Sequence, residues 1–181
     1  MDVNIATALW FASRGRTCDA SDPPESGDKS ASRVLLLGMG ADEQLGGYGR
    51  HRKAFERGGM EELASELKMD QERFWERNLG RDDRIAADHG KEARFPFLDA
   101  HVTEFLKSLP LNQVVDFSLP PGQGDKQILR LVAMRLGLAH ASGLVKRAIQ
   151  FGSRISHLSD AKRFGSRRKA KGEAKVKSVA N

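Results

Sequence analysis

Along most of the chain, apolar residues recur at the three- and four-residue intervals that line one face of a helix. Residues 2–14 carry Val3, Ala6, Leu9 and Trp10 on one side, with Asp2 available as N-cap and Gly15 closing the helix. Leu63, Leu67 and Phe74 mark a second helix over 60–77. Val102, Phe105 and Leu106 mark a third over 100–108, capped by Asp99 and stopped before Pro110. Ile128, Leu129, Val132 and Leu136 share one side of a fourth over 125–136, closed by Gly137. Residues 17–32 interrupt the pattern with Pro23-Pro24, Gly27 and several serines, which predicts a surface loop. One segment reads differently. Val34–Leu37 is continuously apolar and bounded by turn residues, the pattern of a strand buried on both faces. A central parallel strand has neighbours on both edges. The expectation is therefore an α/β fold, mostly helical, whose sheet is completed by another chain or by sequence outside this one. No internal repeat is visible.

Composition narrows this picture. At 181 residues, with 39% hydrophobic and 30% charged, the chain suits one globular domain with a polar surface. No apolar run approaches the roughly 20 residues that cross a bilayer. The first residues lack the basic and small-residue pattern of a secretory signal, so a cytoplasmic protein with no membrane partner is expected. Cys18 is the only cysteine, which excludes an internal disulfide and a cysteine-rich zinc site. The net charge of +6 lies entirely in residues 160–181, where Lys162, Arg163, Arg167, Arg168, Lys169, Lys171, Lys175 and Lys177 face only Asp160 and Glu173. The predicted organisation is a neutral body over 1–159 and a basic, disordered tail over 160–181. Nucleic acid is not an expected partner except through that tail.

The candidate strand runs straight into Gly38-Met39-Gly40-Ala41-Asp42-Glu43. A strand that ends in Gly-x-Gly and feeds a helix places backbone amides at the carboxyl edge of a sheet, where open α/β folds bind phosphates. Gly38 and Gly40 would allow close approach of backbone to ligand. Asp42 and Glu43 fall in the first helical turn, where acids complement the helix dipole. A carboxylate beside bound phosphates can also hold Mg²⁺. Three more clusters stand out: "NLGRDDR" (78–84), predicted to start a helix; "EARFPFLD" (92–99), extended around Pro96; and "GQGDKQILR" (122–130), which puts Lys126 in a first helical turn. A lysine there opposes the helix dipole, and a bound phosphate would account for it. Taken singly, each cluster also reads as a solvated charged face, a packed loop or an exposed lysine.

Together and in this order, the clusters resemble the synthetase domain of glutamine-hydrolysing asparagine synthetases. Gly38–Tyr48 is similar to that family's Gly-x-Gly-(Ser/Ala)-Asp-Glu followed by Gly-Gly-Tyr. Arg81–Arg84 with Glu92–Asp99 is similar to its Arg-Asp-Arg segment and its Glu-Ala-Arg-x-Pro-Phe-Leu-Asp, and Lys126–Arg130 to its lysine before Ile-Leu-Arg. The resemblance covers about residues 1–155. It implies the C-terminal portion of a nucleotide-binding domain of the adenine nucleotide alpha hydrolase type. It further implies ATP-dependent amidation of aspartate through an acyl-adenylate, with Mg²⁺ and with ammonia or glutamine-derived nitrogen. On this basis Asp42 matches the Mg²⁺ ligand, Gly38, Gly40 and Glu43 belong to the cofactor-binding turn, and Lys126 matches the lysine that stabilises the pyrophosphate and the pentavalent phosphorus. Three departures accompany the likeness. The family's Ser-Gly-Gly-x-Asp-Ser pyrophosphate loop is not in the sequence, position 2 is Asp2 rather than the glutaminase cysteine, and Met39 stands where the family has a glutamate. A thioether cannot take a proton from attacking ammonia. The chain alone is therefore expected to make no asparagine and to bind ATP weakly. A non-catalytic relative that keeps the fold for binding or regulation is the alternative.

Overall fold

The computed structural model describes residues 2–16 and 30–155. Residues 17–29 of the expected loop and the whole basic tail lie outside the described residues. In chain order the elements are α1 (Asp2–Arg14), β1 (Val34–Leu36), α2 (Ala41–Gln44), α3 (Gly49–Phe74), a π-helical turn (Trp75–Leu79), α4 (Gly80–Asp88), β2 (Glu92–Arg94), a 3₁₀ turn (Pro96–Leu98), α5 (Ala100–Ser108), α6 (Leu111–Val114), α7 (Gln127–Arg135), α8 (Ala139–Ser142) and α9 (Ile149–Gly152). The described residues divide into two compact units, one within residues 9–146 and one of residues 2–8 with 147–155. In the smaller unit the start of α1 carries a Thr7 Oγ1 hydrogen bond to the Val3 carbonyl, and α9 opens with the Phe151 N–H on the Ala148 carbonyl.

The larger unit holds a two-stranded parallel sheet in which Val34, Leu35 and Leu36 pair with Glu92, Ala93 and Arg94. Flanking bonds from Glu92 N–H to the Arg33 carbonyl and from Leu37 N–H to the Arg94 carbonyl extend the register. This corrects the expectation of a single strand: the extended stretch at 92–99 is a second strand followed by the 3₁₀ turn. Its residues alternate exposed, half-buried and exposed with no apolar run, so only the pairing identifies it. Leu36 is 72% exposed on the expected central strand, and among the described residues β1 has one neighbour.

Between the strands runs a helical crossover longer than periodicity predicts. α3 begins at Gly49 rather than near 60, and it breaks at Gly58-Gly59, where Gly59 adopts φ 63, ψ −150, a region open only to glycine. Leu63, Leu67 and Phe74 are buried as expected. The stretch 78–84 does not start a helix: it spans the π turn and the first turns of α4, and no side chain caps Leu79 before α4. Backbone bonding runs on through the turn, and its charged residues divide: Asp82 is fully buried with Arg81 Nε at 2.8 Å from its Oδ1, while Asp83 and Arg84 are exposed. α1 ends at Gly15 (φ 68) as predicted, and Trp10 Nε1 donates to Asp88 Oδ2 at 2.6 Å. α5 is capped as predicted by Asp99, whose Oδ1 accepts from His101 N–H at 2.9 Å.

The core gathers Leu45, Leu63, Leu67, Val114, Val115 and Phe117, with Ile128 and Leu129 of α7 packed against it. Val132 and Leu136, expected on the same buried face, are 46% and 71% exposed. The buried His51–Asp70 pair is matched, whereas the buried Ser13 Oγ, Asp82 Oδ2 and Lys91 Nζ have no hydrogen-bond partner. The fully buried His51 takes the Tyr48 N–H on Nδ1 at 3.3 Å, which leaves Nε2–H to donate to Asp70 Oδ2 at 2.8 Å, and Arg50 Nη2 donates to the same oxygen. Burial alone would raise the Asp70 pKa, but hydrogen bonds from His51 and Arg50 outweigh it and hold the carboxyl below its ordinary 3.8. A depressed carboxyl contributes stability above its unfolded value and loses it as pH falls through the lower folded value. Asp70→Asn should therefore lower the urea midpoint at neutral pH and converge with wild type in strong acid. Equal destabilisation at both ends of a pH series would show that the charge at Asp70 is not what stabilises.

Candidate functional site

β1 leads into a turn whose geometry its glycines permit. Gly40 has φ 92, and a Cβ there would lie 2.5 Å from Leu98 Cδ2, so the turn sits directly on the 3₁₀ segment. Gln44 Nε2 fastens it by donating to the Gly40 carbonyl at 3.2 Å and the Phe97 carbonyl at 2.5 Å. Gly38 is exposed, with open space where a Cβ would stand. Asp42 and Glu43 fall in the short helix α2 as expected.

The two acids then part. Glu43 is buried, and its Oε1 accepts from the Tyr48 hydroxyl at 2.5 Å and from Asn78 Nδ2 at 3.3 Å. Desolvation raises the Glu43 pKa despite the Tyr48 hydrogen bond, and burial next to Glu43 raises that of Tyr48 as well. Glu43 thus holds the turn to Tyr48 and to the π turn, and its Oε1 is taken up by them. Asp42 faces the other way. Its Oδ1 lies 3.0 Å from Lys126 Nζ and its Oδ2 3.3 Å from Lys146 Nζ, each side chain being about a fifth exposed. Lys146 Nζ also stands 4.5 Å from the centre of the Tyr48 ring.

Lys126 reaches Asp42 from a turn, not from a helix. It precedes α7 as the N-cap residue, in the left-handed conformation (φ 52, ψ 36), and its N–H donates to the Leu45 carbonyl at 2.9 Å. The expected first-turn placement is corrected accordingly, and the dipole of α7 is not what positions the ammonium. The 2.9 Å bond joins the Asp42 turn to the Lys126 turn directly through backbone. Arg130 supports the turn from below: Nη2 pairs with Asp125 Oδ2 at 2.6 Å, and Nε donates to the Asp125 carbonyl at 2.7 Å. Asp125 Oδ1 in turn accepts from Gly122 N–H at 2.5 Å. Burial would raise the Asp125 pKa, but the bonds from Arg130 and Gly122 hold it below the ordinary value.

Of the residues singled out in the sequence, the structure brings Asp42 and Lys126 together on one surface, places Gly38 and Gly40 in the adjoining turn, and points Glu43 inward. Tyr48, Asn78, Arg130 and Lys146 carry roles that the sequence reading did not assign. Asn78 and Arg130 lie inside the charged clusters of the sequence, and Lys146 opens the stretch "KRAIQFGSRI", in which the spacing gives it no role. An open cleft of about 640 Å³ lies beside the site, lined by Leu36, Asp83, Arg94, Phe95 and Asp99 among others; Asp42 and the two lysines are not in its lining. Among the described residues, no three His, Cys, Asp or Glu side chains are grouped to hold a metal, and no helix is long and apolar enough to cross a membrane.

A mostly helical α/β unit with a small parallel sheet, and a glycine turn after β1 that presents Asp42 to lysines from later in the chain, define the class. The chain belongs to the asparagine synthase family, whose model matches residues 56–157. It is 54% identical over 158 residues to asparagine synthetase domain-containing protein 1 of Mus musculus, covering 87% of this chain and 25% of that protein. Over the same shares it is 50% identical to the protein of that name from Homo sapiens. It is also 41% identical over 87 residues to a putative glutamine-hydrolyzing asparagine synthetase of Methanocaldococcus jannaschii, covering 48% of this chain and 16% of that protein. The chain spans about a quarter of the length of the first of these relatives.

Proposed function

We propose that this chain carries the phosphate-facing side of a nucleotide-binding, asparagine-forming ligase domain, and that by itself it makes no asparagine. In the reaction the side-chain carboxylate of aspartate attacks the α-phosphorus of ATP and pyrophosphate leaves; ammonia then attacks the acyl carbon and AMP leaves. The observation that supports this reading best is the meeting of Lys126 with Asp42 at 3.0 Å from turns far apart in the chain. Lys126 supplies positive charge where negative charge develops on phosphorus and on the leaving pyrophosphate. Asp42 is the carboxylate suited to Mg²⁺. Both its oxygens are paired with ammoniums, so it becomes a ligand when phosphates draw those lysines away. When bound, Mg²⁺ would neutralise phosphate charge. Gly38 and Gly40 provide backbone beside the acyl group. The reading expects cytoplasmic chemistry on small-molecule partners.

A second reading, a relative that keeps the fold for binding or regulation, rests on Met39, which cannot accept a proton from ammonia. One experiment separates the two. The part of the Mus musculus relative outside the matched region is joined to this chain, and isotope-traced asparagine is measured. The chimera should form asparagine, Lys126→Ala should reduce the rate by about a hundredfold or more, and the 181-residue chain alone should form none. A chimera that binds Mg-ATP but forms no asparagine would favour the binding or regulatory reading. Unchanged activity in Lys126→Ala would remove Lys126 from the chemistry.

A further inference from the structure

Away from the Asp42 turn, one buried cation lacks a counter-charge. Lys91 is 7% exposed, and among the described residues its ammonium has neither a hydrogen-bond partner nor an ion pair. Burying an ionised group without a partner is strongly unfavourable. The carboxylates nearest to it in sequence are engaged elsewhere: Asp88 Oδ2 accepts from Trp10 Nε1 at 2.6 Å, and Glu92 Oε1 pairs with Arg94 Nε at 2.7 Å. Two more buried polar atoms are unpartnered in the same neighbourhood, Ser13 Oγ and His89 Nε2. Trp10 packs on the His89 ring with centroids 4.5 Å apart, so the last turn of α1 lies on the connection from α4 to β2. Ser13 follows Trp10 by one turn on that face of α1 and is fully buried. Lys91 reaches the same end of α1, where a Cβ at Gly15 would stand 2.8 Å from its Nζ. The Ser30 N–H closes the turn there on the Gly15 carbonyl at 2.8 Å. Lys91 precedes β2 and so stands at the amino edge of the parallel sheet, whereas the Gly38 turn leaves the carboxyl edge.

We propose that Lys91, Ser13 and His89 form a buried site for one small monovalent anion, of the size and charge of chloride. The ammonium supplies the charge. The Ser13 hydroxyl and, in the tautomer protonated at Nε2, the His89 imidazole supply further donors. A water molecule would satisfy those donors but leave the charge uncompensated in a medium that screens it poorly. The carboxyl end of α1 offers the ammonium about half a negative charge at most, which is not enough to replace a counter-ion. The three polar atoms are shut off from solvent, so the site suits a small spherical anion rather than a bulky oxyanion. Bound there, the anion ties the end of α1 to the start of β2. Its role is to stabilise the fold, independently of the ligase reading.

The test is thermal melting of the 181-residue chain at constant ionic strength while sodium chloride replaces sodium gluconate, whose anion is too large for the site. The wild-type melting temperature should rise saturably with chloride, by about 5 °C or more at full occupancy. Lys91→Met, similar in size and uncharged, should lose that dependence and melt no lower than wild type does in gluconate. Ser13→Ala should keep the dependence but need about three- to tenfold more chloride. Crystals grown with sodium bromide should show the anomalous signal of bromide within hydrogen-bond distance of Lys91 Nζ. The proposal is overturned if wild type and Lys91→Met respond alike to chloride, or if bromide is absent from Lys91 in such crystals. It is equally overturned if neither protein responds to chloride and Lys91→Met melts well below wild type, since a carboxylate of the chain would then be the counter-charge.

Discussion

Replacing Arg130 by methionine is expected to destabilise the larger unit by about 3–5 kcal/mol, the cost of leaving one member of a buried ion pair without its partner. The side chains of Arg130 and Asp125 are 11% and 12% exposed, so solvent screens them little. The substitution leaves Asp125 Oδ2 without its cation and the Ser142 and Leu144 carbonyls without their donor. Against a total stability of about 5–15 kcal/mol for a small domain, that is a large fraction. Urea unfolding of wild type, Arg130→Met, Asp125→Asn and the double variant should show strong coupling, with the double variant less damaged than the two single losses summed. A loss below about 1 kcal/mol, the size of an exposed pair, would mean that the network is not what holds the two lysine-bearing segments.

Gly47→Ala should have the largest effect on the site itself. A Cβ at Gly47 would lie 2.0 Å from Asp42 Oδ1, 2.7 Å from Asp42 Cγ and 2.9 Å from Asp42 Cα. Rotating the carboxylate relieves the first two contacts but not the third, which is backbone. The Gly47 N–H also donates to the Asp42 carbonyl at 2.9 Å, so the turn cannot open without losing that bond. Overpacking of this kind costs about 1–3 kcal/mol, and displacing a reacting group by an ångström can cost about a hundredfold in rate. Activity of the chimera should thus fall far more than its melting temperature suggests, and Asp42 should no longer pair with both lysines. Wild-type asparagine formation by Gly47→Ala would show that Asp42 does not act from the position it holds here.

Pattern along the chain was enough to place α1, the strand after Ser32, the Asp99-capped α5 and the buried side of α3, because each follows from a repeat or a cap that acts over a few residues. It marked Asp42 and Lys126 as candidates, and the roles expected of them came from the family resemblance. Tertiary structure decided the rest. Glu92–Arg94 became a strand only by pairing with Val34–Leu36, since its own residues have no apolar alternation. Asp42 and Glu43 are adjacent acids in the same short helix, and nothing in their order says which faces the lysines and which Tyr48 and Asn78; the packing of α3 and the π turn chose. Lys126 was expected inside a helix and stands before one, because the Leu45 carbonyl draws its N–H into a left-handed turn. Lys146 opens the stretch "KRAIQFGSRI", but no role for it followed from the sequence. Its ammonium arrives at Asp42 because Arg130 anchors the carbonyls of Ser142 and Leu144, a hydrogen-bond geometry that exists only once the chain has folded back on itself.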